Sequence, residues 1–447
     1  MKKLITKSAF LINDKISDLS VGSYLRTYEI LVKSGRDQIE AYQIEKVKKL
    51  LVFAYEKIPF YKSRMNSAAF DPYTFKYLDD IEKLPSLTRE DIQENQSALL
   101  GSKDTSQFKR GSSSGSTGQP LIYYHDRHSL SAGVAAQYWG WGFSGWKFGM
   151  KGLHIWGNPR VVNVEWKRLS SRLKAKLYRH HKFPAYELTE NSNYRKLANI
   201  LNKEKYDFID GYTNAIYLFA KYVKDNKLSV PRLAYIFTTG ENLHDFQRAV
   251  IEEVLGPVYD GYGCGEIKGI AYQDSKADSY YIIDPHVVVR FNNNVKGQDG
   301  SQALLITDLD NYAMPLINYQ NNDMGVEEKG QASGLPLTRL SRISGRISDI
   351  IDLPSGGNLV VPSFFGSMLL KQVTGIKNYQ IEKVQKDKIV IKLVTTKSFS
   401  TSDSEKVKSS LREYLKDKIK WEIEYVDSIA VEKNGKFKLL IDKTSVR

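Results

Sequence analysis

Cysteine is almost missing from this chain of 447 residues: Cys264 stands alone. That excludes an internal disulfide, a cysteine-rich zinc motif and a CxxC redox pair, and a reducing cytoplasm fits. Long apolar runs are missing too. No stretch approaches the roughly 18 residues of a membrane span. Behind the basic start Met1-Lys2-Lys3, the apolar positions are broken by Lys7 and Ser8 and then by Asn13, Asp14 and Lys15, so no signal-peptide core is expected. A soluble protein, or one peripheral at the inner face of a membrane, is the expectation. Acid is in deficit: 51 Asp and Glu face 65 Lys and Arg, leaving a net charge of +14. That balance favours anionic partners such as nucleotides, acidic glycans or a membrane surface, and is equally the mark of a solvated basic surface.

Apolar and aromatic residues are plentiful. A hydrophobic share of 41%, with 28 Tyr and 18 Phe, supplies packed interiors, and the length is too great for one core. The stretch that organises the chain is Arg110-Gly111-Ser112-Ser113-Ser114-Gly115-Ser116-Thr117-Gly118-Gln119-Pro120. Glycines let backbone approach a ligand, while hydroxyls and bare N–H groups donate to anionic oxygens, so the run reads as a phosphate-holding loop. The same composition also makes a flexible linker. It is neither a Walker loop, since Ser116-Thr117-Gly118 stands where Gly-Lys-Ser/Thr would, nor part of a Rossmann fingerprint, because Gly261-Tyr262-Gly263 leads to Glu266.

In chain order, Tyr42, Val47, Leu50, Leu51 and Ala54 share a helical face that Pro59 closes. Ser86 or Thr88 caps a short helix with an acidic first turn. The Trp- and Gly-rich segment 138–143 and the strand-like Leu153 to Gly157 are read as core packing that could also wall a pocket. Between Glu165 and Lys182, leucines at every fourth position (Leu169, Leu173, Leu177) predict an amphipathic helix with a basic face, open to an acidic glycan or a membrane surface. The lack of aromatics interleaved along it argues against nucleic acid. His180 and His181 adjoin it and are read as surface residues.

Residues 206–262 alternate strand and helix: strands at 206–210, 233–237 and 257–259, helices at about 214–225 and 244–255. This is the signature of βαβ units and a parallel sheet. Ligands bind at the carboxyl ends of such strands, where Thr238-Thr239-Gly240-Glu241-Asn242 and Asp260-Gly261-Tyr262-Gly263-Cys264-Gly265-Glu266 fall. Strands are expected at 287–291 and 303–306. Residues 307–323 read as irregular and polar, and the turn-rich composition near 345–352 marks a domain boundary. Beyond it a small α+β unit is expected, with strands at 379–384, 389–394 and 421–426, a helix at about 402–419, and a glycine turn bearing lysines at 433–438. The expected fold class is thus α/β: a large N-terminal domain, 1–345, of mainly parallel sheets and helices, and a small C-terminal domain, 346–447.

Together these motifs resemble the adenylate-forming superfamily, specifically its phenylacetate-CoA ligase and CapK-like branch, the latter associated with capsular polysaccharide synthesis. The similarity includes the early segment Leu50 to Tyr61. It implies that Ser113, Ser114, Gly115, Ser116, Thr117 and Gly118 hold the ATP phosphates, with Gly240 and Glu241 in the second nucleotide loop. Asp260, Tyr262 and Gly263 match the adenine segment, Glu266 the carboxylate that holds Mg²⁺, Asp323 and Arg346 the ribose pair, and Asp349 a hinge. Lys436, with Lys438 beside it, matches the catalytic lysine on a C-terminal domain that moves. The implied enzyme uses ATP and Mg²⁺ to convert a small carboxylic acid to an acyl-adenylate, then passes the acyl group to an amine, a hydroxyl or the thiol of CoA. A scaffold that kept the nucleotide site but lost chemistry is the other class. Two departures stand out: Gln119 where many relatives carry lysine, and Tyr272-Gln273-Asp274 where relatives often carry Cys, which removes the expectation of structural zinc.

Overall fold

The computed structural model describes residues 10, 14, 19–113, 121–156, 179–188, 191–274, 279–297, 300–328, 334–346, 350–354, 358–361, 373, 375–415, 418–429 and 439–444. From Val21 on come three helices: α1 (Val21–Ser34), α2 (Arg36–Lys57) and α3 (Pro59–Ser67). Val47, Leu50, Leu51 and Ala54 are buried on one stripe of α2, and Pro59, which lacks an N–H, starts α3 where no intrahelical donor is required. Tyr42 is half-buried, and its neighbour Gln43 is buried instead, its amide donating to the carbonyls of Asp284 and Val287. Thr88 caps α4 (Arg89–Glu94) in a reciprocal box: its hydroxyl accepts from the Asp91 N–H, and Asp91 accepts from the Thr88 N–H.

An antiparallel hairpin follows, β1 (Lys109–Ser113) with β2 (Leu121–His125), and then α5 (Arg127–Phe143). The Trp- and Gly-rich segment is the last turns of α5. Gly140 is required there because a Cβ would stand 2.1 Å from the Tyr272 ring, so the glycine lets α5 lie against the sheet. Trp141 then stacks on Phe237 at 4.7 Å.

The parallel strands are β3 (Gly152–Trp156), β4 (His180–Pro184), β5 (Phe208–Tyr212), β6 (Tyr235–Thr239) and β7 (Val258–Tyr262). Helices α6 (Asn191–Lys203), α7 (Thr213–Asp225) and α8 (Asp245–Val254) cross between them. Antiparallel strands extend the sheet: β8 (Ala271–Gln273), β9 (Tyr280–Ile282), β10 (Val287–Lys296), β11 (Gln302–Asp308), β12 (Tyr319–Glu327) and β13 (Arg339–Arg346). Among the described residues the order is β10-β11-β12-β13-β9-β8-β7-β6-β5-β3-β4 in one sheet of 11 strands. Because side chains alternate, β3, β5, β6 and β7 send Leu153, Ile155, Ile209, Ile236 and Val258 into a core with α6, α7 and α8. Their other face carries Phe208 and Phe237 into the aromatic cluster with Trp141 and Trp146.

Three sequence expectations are corrected here. Lys182 lies in a strand, so the basic helix does not reach it, and residues 157–178 lie outside the described residues. His180 and His181 are half-buried strand residues: the His180 ring lies 4.4 Å from that of His154, and His181 Nδ1 is 2.7 Å from the Tyr206 hydroxyl. Residues 307–323 are mostly buried despite their polarity, because Asp308, Asn311 and Asn318 turn their side chains onto backbone N–H groups and carbonyls, and the segment ends inside β12.

The C-terminal unit begins with the hairpin β14 (Ile350–Asp352) and β15 (Asn358–Val360). A second sheet follows, in the order β18-β17-β16-β19, built from β16 (Ile376–Gln385), β17 (Lys388–Thr395), β18 (Lys420–Tyr425) and β19 (Leu440–Asp442), with α9 (Thr401–Leu415). Buried side chains from Ile351 to Leu440 form a core of their own, including Ile381, Ile391, Val407 and Leu411. This is an α/β architecture with a large sheet-based body and a smaller α+β unit.

Candidate active site

Strand β7 runs three residues past the expected end and carries Asp260, Gly261 and Tyr262 within it. Tyr262 is buried, and its hydroxyl donates to Asp323 Oδ2 of β12 at 2.9 Å. Asn321 Nδ2 donates to both, at 2.7 Å to Tyr262 and 2.8 Å to Asp323. Burial first, and the Asp323 charge second, push the Tyr262 phenol well above its ordinary range, so it stays a neutral donor. Arg346 pairs in backbone register with Asp323 across β12 and β13, which sets the two expected ribose residues side by side along the chain.

After Tyr262 the chain turns tightly. The Cys264 N–H donates to the Ile267 carbonyl, and the Ile267 N–H returns a contact to Cys264 Sγ. Gly263 needs to be small, since a Cβ would sit 3.0 Å from the Gly269 nitrogen. The turn aims Glu266 inward at 4% exposure. Hairpin β1–β2 packs against the same turn: a Cβ on either Gly111 or Gly265 would strike Tyr123, and His125 Nε2 lies 3.3 Å from the Gly265 carbonyl. Burial pushes His125 down to about 4, so the ring is neutral near pH 7 and Nε2–H is the donor. Ser113 ends β1 directly across from Leu121, at the mouth of this hairpin. Ser114, Gly115, Ser116, Thr117 and Gly118 lie outside the described residues, as do Asp349 and Lys436.

Sequence reasoning missed Arg89. Leu87 bridges Tyr319: its N–H donates to the Asn318 carbonyl and its carbonyl accepts from the Gln320 N–H. That clamp draws the Thr88-capped helix along β12 and sets Arg89 Nη1 3.8 Å from Glu266 Oε1. The cap was legible, but nothing local tells that the first residue after it faces a carboxylate 177 positions away. Asn321 was missed for the same reason, its partners being Tyr262 and Asp323.

Two expected nucleotide residues use their carboxylates inside the protein. Asp260 accepts from the hydroxyls of Thr238 and Tyr280, both at 2.6 Å, and burial raises it to about 6 against those bonds. Glu241 Oε2 accepts from the Asn214 N–H at the start of α7 at 2.8 Å, a position the helix dipole favours. Gly240, with φ of +80°, makes that turn, and a Cβ there would stand 3.2 Å from the Tyr212 ring, on which Trp156 stacks at 4.4 Å. Trp156 is 42% exposed and stands at the carboxyl end of β3.

The Asp260 environment makes one prediction. Its folded pKa lies above the ordinary value of 3.8, so the folded state prefers the neutral acid. Its contribution to stability is fully present below about 4 and is lost as pH rises through about 6. Asp260→Asn is therefore expected to raise the melting temperature relative to the parent at pH 8, with the difference shrinking toward pH 4. Equal offsets at both ends of thermal melts from pH 4 to 8 would contradict it.

Glu266, Tyr262, Asn321, Asp323 and Arg89 thus gather around the end of β7, beside the β1–β2 hairpin. A lone hard carboxylate, with the nearest guanidinium nitrogen 3.8 Å away, suits Mg²⁺ when phosphates supply the remaining oxygens.

The chain is similar to known proteins along most of its length. Residues 354–443 match the CapK C-terminal domain. The chain is 23% identical to protein CapK of Staphylococcus aureus, over 81% of this chain and 80% of that one. It is 24% identical to phenylacetate-coenzyme A ligase of Escherichia coli, over 77% and 79% respectively. Among solved structures, 2-hydroxyisobutyryl-CoA ligase in its postadenylation state, bound to 2-HIB-AMP, superposes with a TM-score of 0.70 at 20% identity, over 91% of this chain and 89% of that one. No helix among the described residues is long and apolar enough to cross a membrane.

Proposed function

We propose that this chain, a CapK-like and phenylacetate-CoA ligase-like protein with the fold of the adenylate-forming CoA ligases, activates a carboxylic acid with ATP and transfers the acyl group to a nucleophile. In the first half-reaction a carboxylate oxygen of the acid attacks the α-phosphorus, the bond to the bridging oxygen breaks, and pyrophosphate leaves. In the second, an amine, hydroxyl or CoA thiol attacks the acyl carbon and AMP departs with the electron pair. The likeness to CapK favours a role in surface-polysaccharide synthesis.

The observation that carries the reading is the convergence of Glu266 with the Tyr262–Asn321–Asp323 cluster beside the hairpin whose strand ends at Ser113. Tyr262 offers an aromatic face held by its hydroxyl, and Asp323 offers acceptor oxygens to ribose hydroxyls, with Arg346 adjacent in register. Mg²⁺ held by Glu266 would offset phosphate charge as the anionic carboxylate approaches. The Ser113–Gly118 loop would cradle the leaving pyrophosphate. Lys436 would bring a compact ammonium to the carboxylate and α-phosphate oxygens. Placing it on a C-terminal domain of residues 346–447 that hinges at Asp349 lets closure keep water from the acyl-adenylate.

The test is carboxylate-dependent ATP–pyrophosphate exchange with pooled amino acids, aryl acids, fatty acids and uronic acids. Exchange with one pool, lost in Lys436→Ala and kept in Lys438→Ala, is the expected result. AMP binding with no exchange from any pool would favour the nucleotide-binding scaffold instead.

A further inference from the structure

Apart from the nucleotide site, the turn before β10 and the turn after β11 bury a second polar group. His286, Asp308 and Asp310 are each 2% exposed or less, and one ligand atom from each lies within 4.8 Å of the others. The backbone fixes them together: Val287 pairs with Asp308 across β10 and β11, and the Leu309 N–H donates to the His286 carbonyl. His286 Nε2 lies 2.9 Å from the Lys268 carbonyl, which holds the proton on that nitrogen and leaves Nδ1 as a lone pair. Nδ1 faces Asp310 Oδ2 at 3.5 Å, and neither atom has a hydrogen-bond partner. Two such buried atoms facing each other beyond hydrogen-bond distance are costly unless a proton on Nδ1 or a metal cation lies between them.

The surrounding charges point the same way. Asp310 Oδ1 takes the Lys46 ammonium at 2.5 Å and the Tyr24 hydroxyl at 3.1 Å. Asp308 Oδ1 takes only the Asp310 N–H, at 3.0 Å. Asp126, which accepts from the Tyr312 N–H next to this turn, adds its charge to that felt by Asp308. Tyr28, Tyr42 and Tyr312 also face this group, and burial keeps all three phenols neutral. With neutral His286, three carboxylates face one ammonium, a balance of −2. One divalent ion neutralises it, whereas a proton on His286 leaves −1.

We propose that His286 Nδ1, Asp308 and Asp310 Oδ2 bind a structural divalent first-row metal ion, separate from the nucleotide site. One imidazole nitrogen and two carboxylate oxygens form a set such ions accept, and ligand atoms about 3–4 Å apart are normal around them. The Lys268 carbonyl supplies the outer contact that orients a ligating histidine. The ion would brace the segment 308–318 that leads into β12, the strand carrying Asp323.

The experiment uses the full chain and no substrate. Metal analysis of the purified protein is expected to find about one equivalent of Zn²⁺, Mn²⁺ or Fe²⁺. Stripping with a chelator should lower the melting temperature, and Zn²⁺ should restore it. His286→Gln and Asp308→Asn should each bring the metal content below about a tenth of an equivalent, whereas Glu266→Gln should leave it unchanged. Wild-type protein that holds no metal, and whose melting temperature Zn²⁺ does not move, would overturn the proposal even if both variants misfold. So would metal retained in folded His286→Gln and Asp308→Asn, which would mark an adventitious ion only.

Discussion

Glu266→Gln is expected to lower carboxylate-dependent ATP–pyrophosphate exchange by about 10²–10³-fold, the loss typical of removing one preorganised electrostatic group from a reacting centre. The substitution keeps the shape of the side chain, and the turn around it is held mainly by backbone and sulfur contacts of Cys264, Ile267 and Gly265, with the Cys264 thiol also reaching the carboxylate, which the Gln amide oxygen can still accept. The melting temperature should therefore change little. Arg89, 3.8 Å away, would keep its positive charge near the phosphates, so ATP affinity should fall far less than turnover. Raising Mg²⁺ should recover part of the rate, because the lost group is assigned to holding that ion. Exchange within a factor of about three of the parent, at any Mg²⁺ concentration, would remove Glu266 from the chemistry and leave it as a partner of Arg89.

How much of this was legible beforehand follows the range of the interactions. The alternation from Phe208 to Tyr262 was readable because each strand or helix declares itself within a few residues, and the parallel sheet follows from the alternation. The carboxyl ends of β6 and β7 were singled out as the place of a ligand site. What those ends do with their carboxylates was not readable: Glu241 caps α7 and Asp260 is taken by Thr238 and Tyr280, all contacts between elements. The Trp- and Gly-rich end of α5 was read as core packing, which it is, but nothing local says that Tyr272 needs the space beside Gly140. The segment 307–323 misled in the same way. Its polar side chains satisfy buried backbone, so polarity there signals burial of turns and not exposure to water. His286, Asp308 and Asp310 are ordinary residues in sequence, and only the pairing of β10 with β11 brings them together.

Asp323 and Tyr262 share one hydrogen-bonded cluster, yet their removal should have unequal consequences. Asp323→Ala deletes the acceptor for the Tyr262 hydroxyl and the Asn321 amide, and leaves both polar groups partly unsatisfied in a buried place. It also removes the charge expected to accept from ribose. Hydrogen bonds to a charged group are worth about 1.5–3 kcal/mol, so AMP and ATP affinity should fall by about 10–100-fold, and the melting temperature should fall as well. Tyr262→Phe keeps the ring that would stack on the base, and the Asn321–Asp323 bond remains. Nucleotide affinity in that variant should change by no more than about threefold. Calorimetric titration of AMP into both variants decides the matter. A larger loss in Tyr262→Phe than in Asp323→Ala would mean that the phenol, and not the carboxylate behind it, contacts the nucleotide. The cluster would then have to be turned around, with Asp323 as the positioning residue and Tyr262 as the ligand.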